Sequence, residues 1–188
     1  MEMLEYKIKA VNRMYRHLDR HVSTFKRRSG LACVNACGEC CLNQKLDATV
    51  LEFLPAANEL CLKGESDSIL EQIENKKDTY CVFFNPFLKG GNCSMYSVRG
   101  LICRLFGFSV KTDKLGSRTL VTCHLIKDTM NGALLEPSLE IAPNLSSYYM
   151  RLYGIDPSLS IRYLPVNHAI KEAIEMILFD FNYRKKPA

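Results

Sequence analysis

The stretch Cys33-Val-Asn-Ala-Cys37-Gly-Glu-Cys40-Cys41 places four thiols within nine residues, and we expect the fold to be organised around it. Cys33, Cys37 and Cys40 are spaced four and three residues apart, so on a helical turn their sulfurs would project from one face. Cys41 cannot join that face if the turn stays helical. Either the backbone leaves the helix at Cys41, or Cys41 reaches a second centre beside the first.

A second block of cysteines falls at the ends of predicted elements: Cys81, Cys93, Cys103 and Cys123. They lie before a proline-bearing segment, after a Gly-Gly turn, at the start of one strand of a predicted hairpin and near the end of the other. Small metal sites are commonly assembled on such hairpins and turns. Four plus four thiolates would satisfy two tetrahedral zinc sites, or one 4Fe-4S cluster with additional ligands or a redox pair.

The cellular compartment decides how nine cysteines in 188 residues are interpreted. Residues 1–30 contain no signal-peptide stretch, because charged residues interrupt them throughout. No window reaches the roughly 18 apolar residues of a membrane-spanning helix. We therefore expect a cytoplasmic chain outside the membrane, in which thiols stay reduced and structural disulfides do not form. The length and the 47% hydrophobic content suit a single domain over residues 1–188.

The net charge of +5 is concentrated at the amino terminus. Three acids in residues 1–30 stand against eight basic residues: Lys7, Lys9, Arg13, Arg16, Arg20, Lys26, Arg27 and Arg28. A basic helix can be the footprint of a nucleic acid or of an acidic partner protein. The alternative is the solvated outer face of a helix that packs on the core.

Apolar periodicity predicts long helices at both ends of the chain. Spacings of four and three predict a helix over residues 3–27, within a basic amino-terminal segment 3–29, from Leu4, Ile8, Val11, Tyr15, Leu18, Val22 and Phe25. A closing amphipathic helix is indicated by Val166, Ile170, Ala173, Ile174, Ile177 and Phe181. Between them we expect a cysteine-cluster region over residues 30–125 and a loop-rich segment that begins the stretch 126–188.

Local signals place the shorter elements. Thr49 and Glu52 have the capping-box spacing, which predicts a helix toward Lys63 that Pro55 bends or interrupts. Ser66 can cap a second helix, over Asp67 to Lys76.

The apolar, partly β-branched runs 106–111 and 118–126 predict a β-hairpin. Residues 89–92 predict a tight turn, and a short helix is possible around residues 139–153. The predicted fold class is α+β and mostly helical, with the terminal amphipathic helices around a cysteine-rich metal centre and a small hairpin.

The spacing of both cysteine blocks resembles that of the YkgJ-type CxxxCxxCC proteins, through residues 33–41 and through the run from Cys81 to Arg104 that includes Tyr96-Ser-Val-Arg99-Gly100. That family is described as zinc- or iron-chelating and also as iron-sulfur-cluster-containing. The resemblance implies a ligand set of Cys33, Cys37, Cys40, Cys41, Cys81, Cys93, Cys103 and Cys123. It covers about residues 30–125. One departure is Gly100, where the family usually has proline, and it is expected to loosen the turn before Cys103.

Two enzyme classes compete with a metal-binding module. Radical S-adenosylmethionine enzymes share the Cys33-x3-Cys37-x2-Cys40 spacing, but here Glu39 takes their aromatic position and no βα alternation follows. The resemblance also extends to flagellin lysine methylases, whose chains are considerably longer. A cluster-dependent enzyme, such as a protein-lysine methylase-like modifier, therefore stays the alternative.

Other residues have weaker claims to the site. His124 follows Cys123 directly and is an alternative ligand, and Arg99, Arg104 and Lys45 would offset the charge of thiolates. Cys61 is expected to be a buried helix residue without a ligand role. His17 and His21 have a spacing that can bind metal but are expected to face solvent. Aromatic and basic side chains interleave in a segment that we expect to pack rather than bind nucleic acid: Tyr148, Tyr149, Arg151, Tyr153, Arg162 and Tyr163.

Overall fold

The computed structural model describes residues 2–33, 37–42, 46–75, 80–87, 92–128 and 138–185. Within these ranges the helices are α1 (Glu2–Ser29), α2 (Glu39–Leu42), α3 (Val50–Lys63), α4 (Ser66–Asn75), α5 (Leu101–Leu105), α6 (His124–Asp128), α7 (Leu145–Ile155), α8 (Pro157–Ser160) and α9 (Val166–Lys185). The strands are β1 (Asp47–Thr49), β2 (Phe84–Asn85), β3 (Asn92–Cys93), β4 (Ser109–Thr112), β5 (Arg118–Val121) and β6 (Tyr163–Pro165). The predicted mostly helical α+β class is confirmed.

Helix α3 lies at the centre of the molecule, packed against both α1 and α9. Its residues 50–57 are all buried, and Leu60 joins them in the core. A helix that is apolar on most of its circumference is stable only when neighbours cover it on several sides. The two long amphipathic helices provide that cover, and each turns its apolar stripe inward.

Strands β1 and β6 set α3 and α9 side by side. They pair antiparallel, with Ala48 opposite Leu164, and each strand leads directly into one of the two helices. The amide of Val166 also donates to the carbonyl of Leu46 at 3.1 Å. The two helices therefore start from one short ladder, which fixes their relative position. This ladder includes β1, the first strand after the cysteine run.

The apolar stripe predicted on α1 is confirmed. Val11, Tyr15, Leu18, Val22 and Phe25 are buried, and the first two positions of the stripe are partly buried. The helix ends before a glycine in the left-handed region, at φ 70°. A residue with a side chain adopts that conformation only with strain, so this glycine allows the sharp exit toward Cys33.

The capping box predicted at the start of α3 is present. The amide and hydroxyl of Thr49 both donate to Glu52 Oε1, at 3.0 and 3.2 Å. Pro55 does not interrupt the helix, which runs through it to Lys63. The missing amide of a proline is tolerated here because close packing on all sides holds the backbone in place.

The prediction that Ser66 caps the next helix was wrong, because α4 already includes Ser66. The carbonyl of Glu65 accepts the first helical bond from the amide of Ile69 at 3.1 Å. The turn before it is closed by Gly64, at φ 71°, whose amide donates to the carbonyl of Cys61. Because the first helical bond already uses the Glu65 carbonyl, α4 begins one residue earlier than predicted, and Ser66 lies inside the helix instead of capping it.

The hairpin of β4 and β5 is confirmed but is shorter than predicted. Its register pairs Ser109 with Val121 and Thr112 with Arg118. Residues 106–108 of the first predicted strand lie outside the sheet, because the chain turns at Gly107, which has φ 92°. Residues 124–126 of the second predicted strand belong to α6 instead.

Three further predictions from the sequence can be compared with the structure. The predicted helix over 139–153 lies later, as α7, because Asn144 caps it by accepting from the amide of Ser147 at 3.0 Å. The predicted turn at 89–92 falls mostly outside the described residues. The closing helix is confirmed as α9, and among the described residues no helix is long and apolar enough to span a bilayer.

Gly100 does not loosen its turn, because a neighbouring ring occupies the space that a side chain would need. A Cβ built at Gly100 would lie 2.8 Å from Phe53 Cζ on the central helix. Gly100 is the N-cap of α5, the helix that carries Cys103. The absent side chain therefore lets α5 approach α3 closely.

We predict that Gly100→Ala lowers the free energy of unfolding by about 1–3 kcal/mol, because the new methyl group would overpack the Phe53 ring. The matched control is Gly154→Ala in α7, where a Cβ would meet nothing within 4 Å. Alanine is the better helix former, so the control should be neutral or stabilising. Denaturant melts of both variants make the comparison, and equal effects would contradict the packing argument.

Candidate metal centre

All eight predicted ligand cysteines line a single cavity of about 60 Å³. One water-sized atom needs only about 10–15 Å³ by the same measure, so the cavity has room for more than one atom. The ninth cysteine, Cys61, is not among the lining residues and packs partly buried on the core, as expected. The remaining walls are largely apolar: Phe53, Phe83, Phe106, Phe108 and Ile126.

The cysteine run does not form one helical turn. Cys33 and Cys37 lie in extended or irregular chain before α2, whereas Cys40 and Cys41 are both on α2. The prediction that three of these sulfurs share a helical face was therefore wrong. The helix begins only at Glu39, and its short first turn is closed by the amide of Cys41 donating to the carbonyl of Gly38 at 2.8 Å.

Cys41 is the hub of an inner group of thiols. Its thiol lies beside the sulfurs of Cys40, Cys81 and Cys93, which are the largest influences on its pKa. Backbone contacts hold this arrangement, because the amide of Cys81 donates to the carbonyl of Cys41 at 2.8 Å. Cys93 is positioned by its pairing with Phe84 in the β2–β3 ladder. Cys103, on α5, completes the inner group. After burial, the thiols that raise its pKa most are those of Cys81, Cys40 and Cys93.

The protonation of the inner group follows from these contacts. The neighbouring thiol of Cys40, followed by those of Cys81 and Cys93, raises the pKa of the Cys41 thiol. The contact with Cys41 lowers the pKa of Cys40 and of Cys93, since the thiolate of each would be stabilised by the neighbouring S–H group. Arg99 acts on both thiols in the same direction. Two thiols of the inner group are thus poised toward the thiolate, the form that binds metals.

The other three thiols form an outer group around Cys33, which is exposed. Cys37 is the thiol with the largest influence on Cys33, and Cys123 is the next. Loss of hydration and then the neighbouring Cys37 raise the pKa of the Cys33 thiol. Cys123 follows β5 and directly precedes α6. Its carbonyl accepts the first hydrogen bond of that helix, from the amide of Lys127. The three outer thiols therefore come from both ends of the cysteine region.

Within the part of the chain that the structure describes, no group of three or more His, Cys, Asp or Glu side chains stands in an arrangement that could hold a metal ion. The thiols of the inner group lie near one another without such an arrangement. A metal would have to displace their protons and draw the sulfurs together. Metal binding and the ordering of this region are therefore coupled.

Arg99 lies in the cavity with a buried polar atom that needs a partner. Its Nε is buried and has no hydrogen-bond partner among the described residues. Its guanidinium lies 3.9 Å from the ring centroid of Tyr96, which also lines the cavity. A half-buried cation with a buried, unpaired donor atom suits an anionic thiolate centre, which would supply both charge and an acceptor. The donor set and its surroundings thus fit a soft metal.

Arg104, which was expected to offset thiolate charge, points away from the cavity. Its Nη1 donates to both carboxylate oxygens of Asp19 on α1, each at 2.6 Å. Its other nitrogens donate to the carbonyls of Ser97 and Arg99 at 2.5 and 3.0 Å. This buried guanidinium therefore anchors the segment between Tyr96 and Cys103 to the first helix. Lys45 lies outside the described residues.

Glu52 ties the same segment to the central helix. Its Oε2 accepts the amide of Ile102 at 2.8 Å, while Oε1 accepts the two bonds from Thr49. The carboxyl is fully buried. Burial raises the pKa of Glu52 to about 7, against the lowering effect of the three bonds that it accepts. The capping signal predicted the bonds to Thr49, but nothing local in the sequence indicates the one to Ile102.

Asn167 is a positioning residue that sequence reasoning missed. Its side-chain oxygen accepts the amide of Val82 at 2.8 Å and its nitrogen donates to the carbonyl of Tyr80 at 3.0 Å. The side chain thus clamps the backbone on both sides of Cys81 from the start of α9. A polar residue next to the apolar stripe of that helix was the available signal.

The histidines lie away from the cavity lining. His124 is exposed, and its Nδ1 lies 3.9 Å from Glu39 Oε1 rather than in the cavity wall. His17 and His21 do not only face solvent, because the Nδ1 atoms of both contact Tyr148 Oη, at 3.2 and 3.0 Å. His21 Nε2 also donates to the carbonyl of Ile141. These rings join α1 to α7.

The fold and site define a cysteine-rich helical domain whose thiols converge on one apolar cavity. Residues 32–124 match the family model CxxCxxCC, described as a "putative zinc- or iron-chelating domain", and through this region the chain belongs to that family. The match confirms the resemblance seen in the sequence. No curated protein and no solved structure matches the chain.

We predict that Arg104→Lys lowers the free energy of unfolding by about 2 kcal/mol, because a lysine keeps the charge but cannot reproduce the forked contacts. Asp19 is half exposed, which reduces the electrostatic share of this loss. Arg118→Lys is the control, since that side chain is more exposed and lies on the hairpin. Equal losses of stability in the two variants would contradict the anchoring role.

A second prediction concerns pH. Between about pH 4.5 and pH 7 the folded protein keeps a proton on Glu52 that the unfolded chain releases, so this residue makes stability fall as pH rises through that range. Glu52→Gln should abolish this component while losing one acceptor. The stability advantage of wild type over the variant should therefore shrink by roughly 2–3 kcal/mol from pH 5 to pH 8. Thiol titration is common to both proteins, and a difference that stays constant with pH would contradict the assignment.

Proposed function

We propose that this protein binds zinc or an iron-sulfur cluster through the cysteines that line the cavity and that the centre has a structural or redox role. The observation that carries the proposal is the selectivity of the cavity. Eight thiols from separate segments of the chain face it, while the ninth does not. The proposed ligands are Cys33, Cys37, Cys40, Cys41, Cys81, Cys93, Cys103 and Cys123.

We expect the two groups of thiols to have different ligand roles. The inner group has one sulfur beside three others and is covered by apolar walls, which suits a closed centre in which four of its five thiolates are ligands. The outer group of Cys33, Cys37 and Cys123 lies at the mouth and suits additional ligands or a second metal position. Cys40 influences thiols of both groups, so it is the natural bridge between them.

Thiolates bind zinc and iron-sulfur clusters alike, so the donor set by itself allows either. Zinc would contribute folding energy without redox chemistry, and a cluster would supply electron transfer. In both cases the Arg99 guanidinium would lie beside the negative charge and its buried Nε would gain an acceptor. The apolar walls would limit access of water to the inner sulfurs.

A cluster-dependent enzyme, such as a methylase-like modifier of protein lysines, is the second candidate. The exposure of Cys33 at the mouth favours it, because catalytic metal sites keep an open coordination position whereas structural sites are closed. The difference is measurable. An open site would bind an added exogenous thiol or cyanide and shift the spectrum, and a closed one would not.

We predict that Cys41→Ser removes most of the bound metal and lowers stability by several kcal/mol, because metal-binding free energy is folding free energy when the site is not preformed. Cys61→Ser is the matched control and should keep both the metal and the melting temperature. Elemental analysis after anaerobic purification measures the first quantity and thermal denaturation the second. Wild-type metal content in the Cys41 variant would refute the proposed ligand set.

The visible spectrum of the same anaerobic sample separates the two metals. A broad brown absorption near about 400 nm indicates an iron-sulfur cluster, while a colourless protein with stoichiometric zinc indicates a zinc-thiolate site. Cys33→Ser then tests the division into groups. It should reduce the metal content less than Cys41→Ser does, because the inner sulfurs remain in place.

A further inference from the structure

The outward face of α1 carries a continuous line of positive charge, here called the basic stripe: Lys9, Arg13, Arg16, Arg20 and Arg27. All five side chains are exposed. Their spacings of four, three, four and seven place them within about 40° of one line along a 3.6-residue helix. At a rise of about 1.5 Å per residue the stripe is roughly 27 Å long.

The charges of the basic stripe are not neutralised by the protein, except at its first residue. Lys9 pairs with Glu5, one turn earlier. The acid nearest the middle of the stripe, Asp19, is held by the buried Arg104. Over the described residues, the four arginines of the stripe form no ion pair with the rest of the chain.

The inward-facing cations of the same helix do have partners. Lys7 lies 2.5 Å from Asp156 at the start of α8, and Lys26 lies over the ring of Phe108 at 4.7 Å. The cations of α1 that face the body, Lys7 and Lys26, therefore contact other parts of the fold. The four arginines of the stripe face solvent and are available to an external partner.

A shallow groove of about 430 Å³ runs beside the stripe, lined by His17, Arg20, His21 and Thr24. Tyr148, which contacts both histidines, carries Arg151 over its ring at 5.0 Å. The groove therefore adds polar groups and a further cation alongside the arginines. Both features point to an extended anionic ligand.

We propose that the basic stripe binds the phosphate backbone of duplex DNA, a function beyond metal binding and independent of it. Four of its five cations are arginines, whose planar forks match phosphate oxygens. Between Lys9 and Arg27 the tyrosine and phenylalanine of α1 are buried, so no exposed Tyr, Phe or Trp ring lies among these cations for unpaired bases to stack on, which favours a duplex over a single strand. The large apolar side chains of the same span are also buried and offer no anchor of the kind that dominates protein interfaces, which favours DNA over an acidic protein.

The geometry of the duplex agrees with this choice. The major groove of B-form DNA is about 12 Å wide and admits an α-helix, so the stripe can lie along the rim of the groove, where the phosphates are; the deep, narrow major groove of RNA does not admit a helix. DNA carries one charge per about 1.7 Å of its axis, so the stripe faces more phosphates than it has cations. Up to about five phosphate contacts follow, and none of them reads a base. Binding should therefore be independent of sequence and sensitive to salt.

The test is fluorescence anisotropy of a labelled 20-base-pair DNA with the full, metal-loaded chain between 50 and 200 mM KCl. Wild type should bind with a slope of log K against log salt of about −4. Replacing Arg13, Arg16 and Arg20 together with alanine should weaken binding at least about tenfold and make the slope smaller by about 3. Alanine favours exposed helix positions, so α1 should stay folded.

The matched control removes three exposed charges outside α1, with Lys63, Lys111 and Lys114 replaced by alanine. It should bind as wild type does. An equal loss in the control would overturn the proposal, as would no binding by wild type at 50 mM KCl. Tighter binding of polyglutamate, of single-stranded DNA or of duplex RNA of equal charge would also overturn it and would assign the stripe to that partner. The metal content of each sample shows separately whether the thiol centre is intact.

Discussion

The buried Glu52 carboxyl joins helices that are far apart in sequence, and the positions of the other elements around the cavity depend on it. It closes the amino terminus of α3 through Thr49 and holds the amide of Ile102 on α5. The carbonyl of the same residue accepts the hydroxyl of Tyr15 from α1 at 2.7 Å. Three helices therefore meet at one residue. A group that accepts this many bonds is hard to replace, because glutamine offers only one acceptor oxygen and aspartate is one methylene shorter.

The cavity is held in shape by contacts that its cysteines do not make themselves. Asn167 clamps the backbone around Cys81, and Arg104 anchors the chain that leads to Cys103. Gly100 lets that chain lie directly against Phe53, whose ring is both core and cavity wall. The thiols are thus presented by a packed frame. The frame determines which sulfurs meet when a metal draws them together.

Helix α1 carries charged residues with different roles on its inner and outer sides. On its inner side α1 supplies Asp19 to Arg104, and so reaches the segment that borders the cavity. On its outer side it carries the basic stripe. Because Asp19 is engaged by Arg104, it is less available to neutralise the stripe. The contact that supports the thiol frame thus also removes one acid that could pair with the outer arginines, which form no ion pair among the described residues.

The sequence by itself determined the elements whose signal is local: the inward stripe of α1, the capping box at Thr49 and Glu52, and the hairpin. These follow from periodicity and spacing within a few turns of chain. The set of eight cysteines was instead implied by the resemblance of both cysteine blocks to a known family. Only the tertiary structure decided that Cys40 joins Cys41 in the inner group, that Cys103 lies on a helix, and that Arg104 turns to Asp19. Those outcomes rest on contacts across 50 to 87 residues, such as Glu52 to Ile102 and Asn167 to Tyr80. No local pattern encodes such contacts, because they form only when packing of α1, α3 and α9 brings distant segments together.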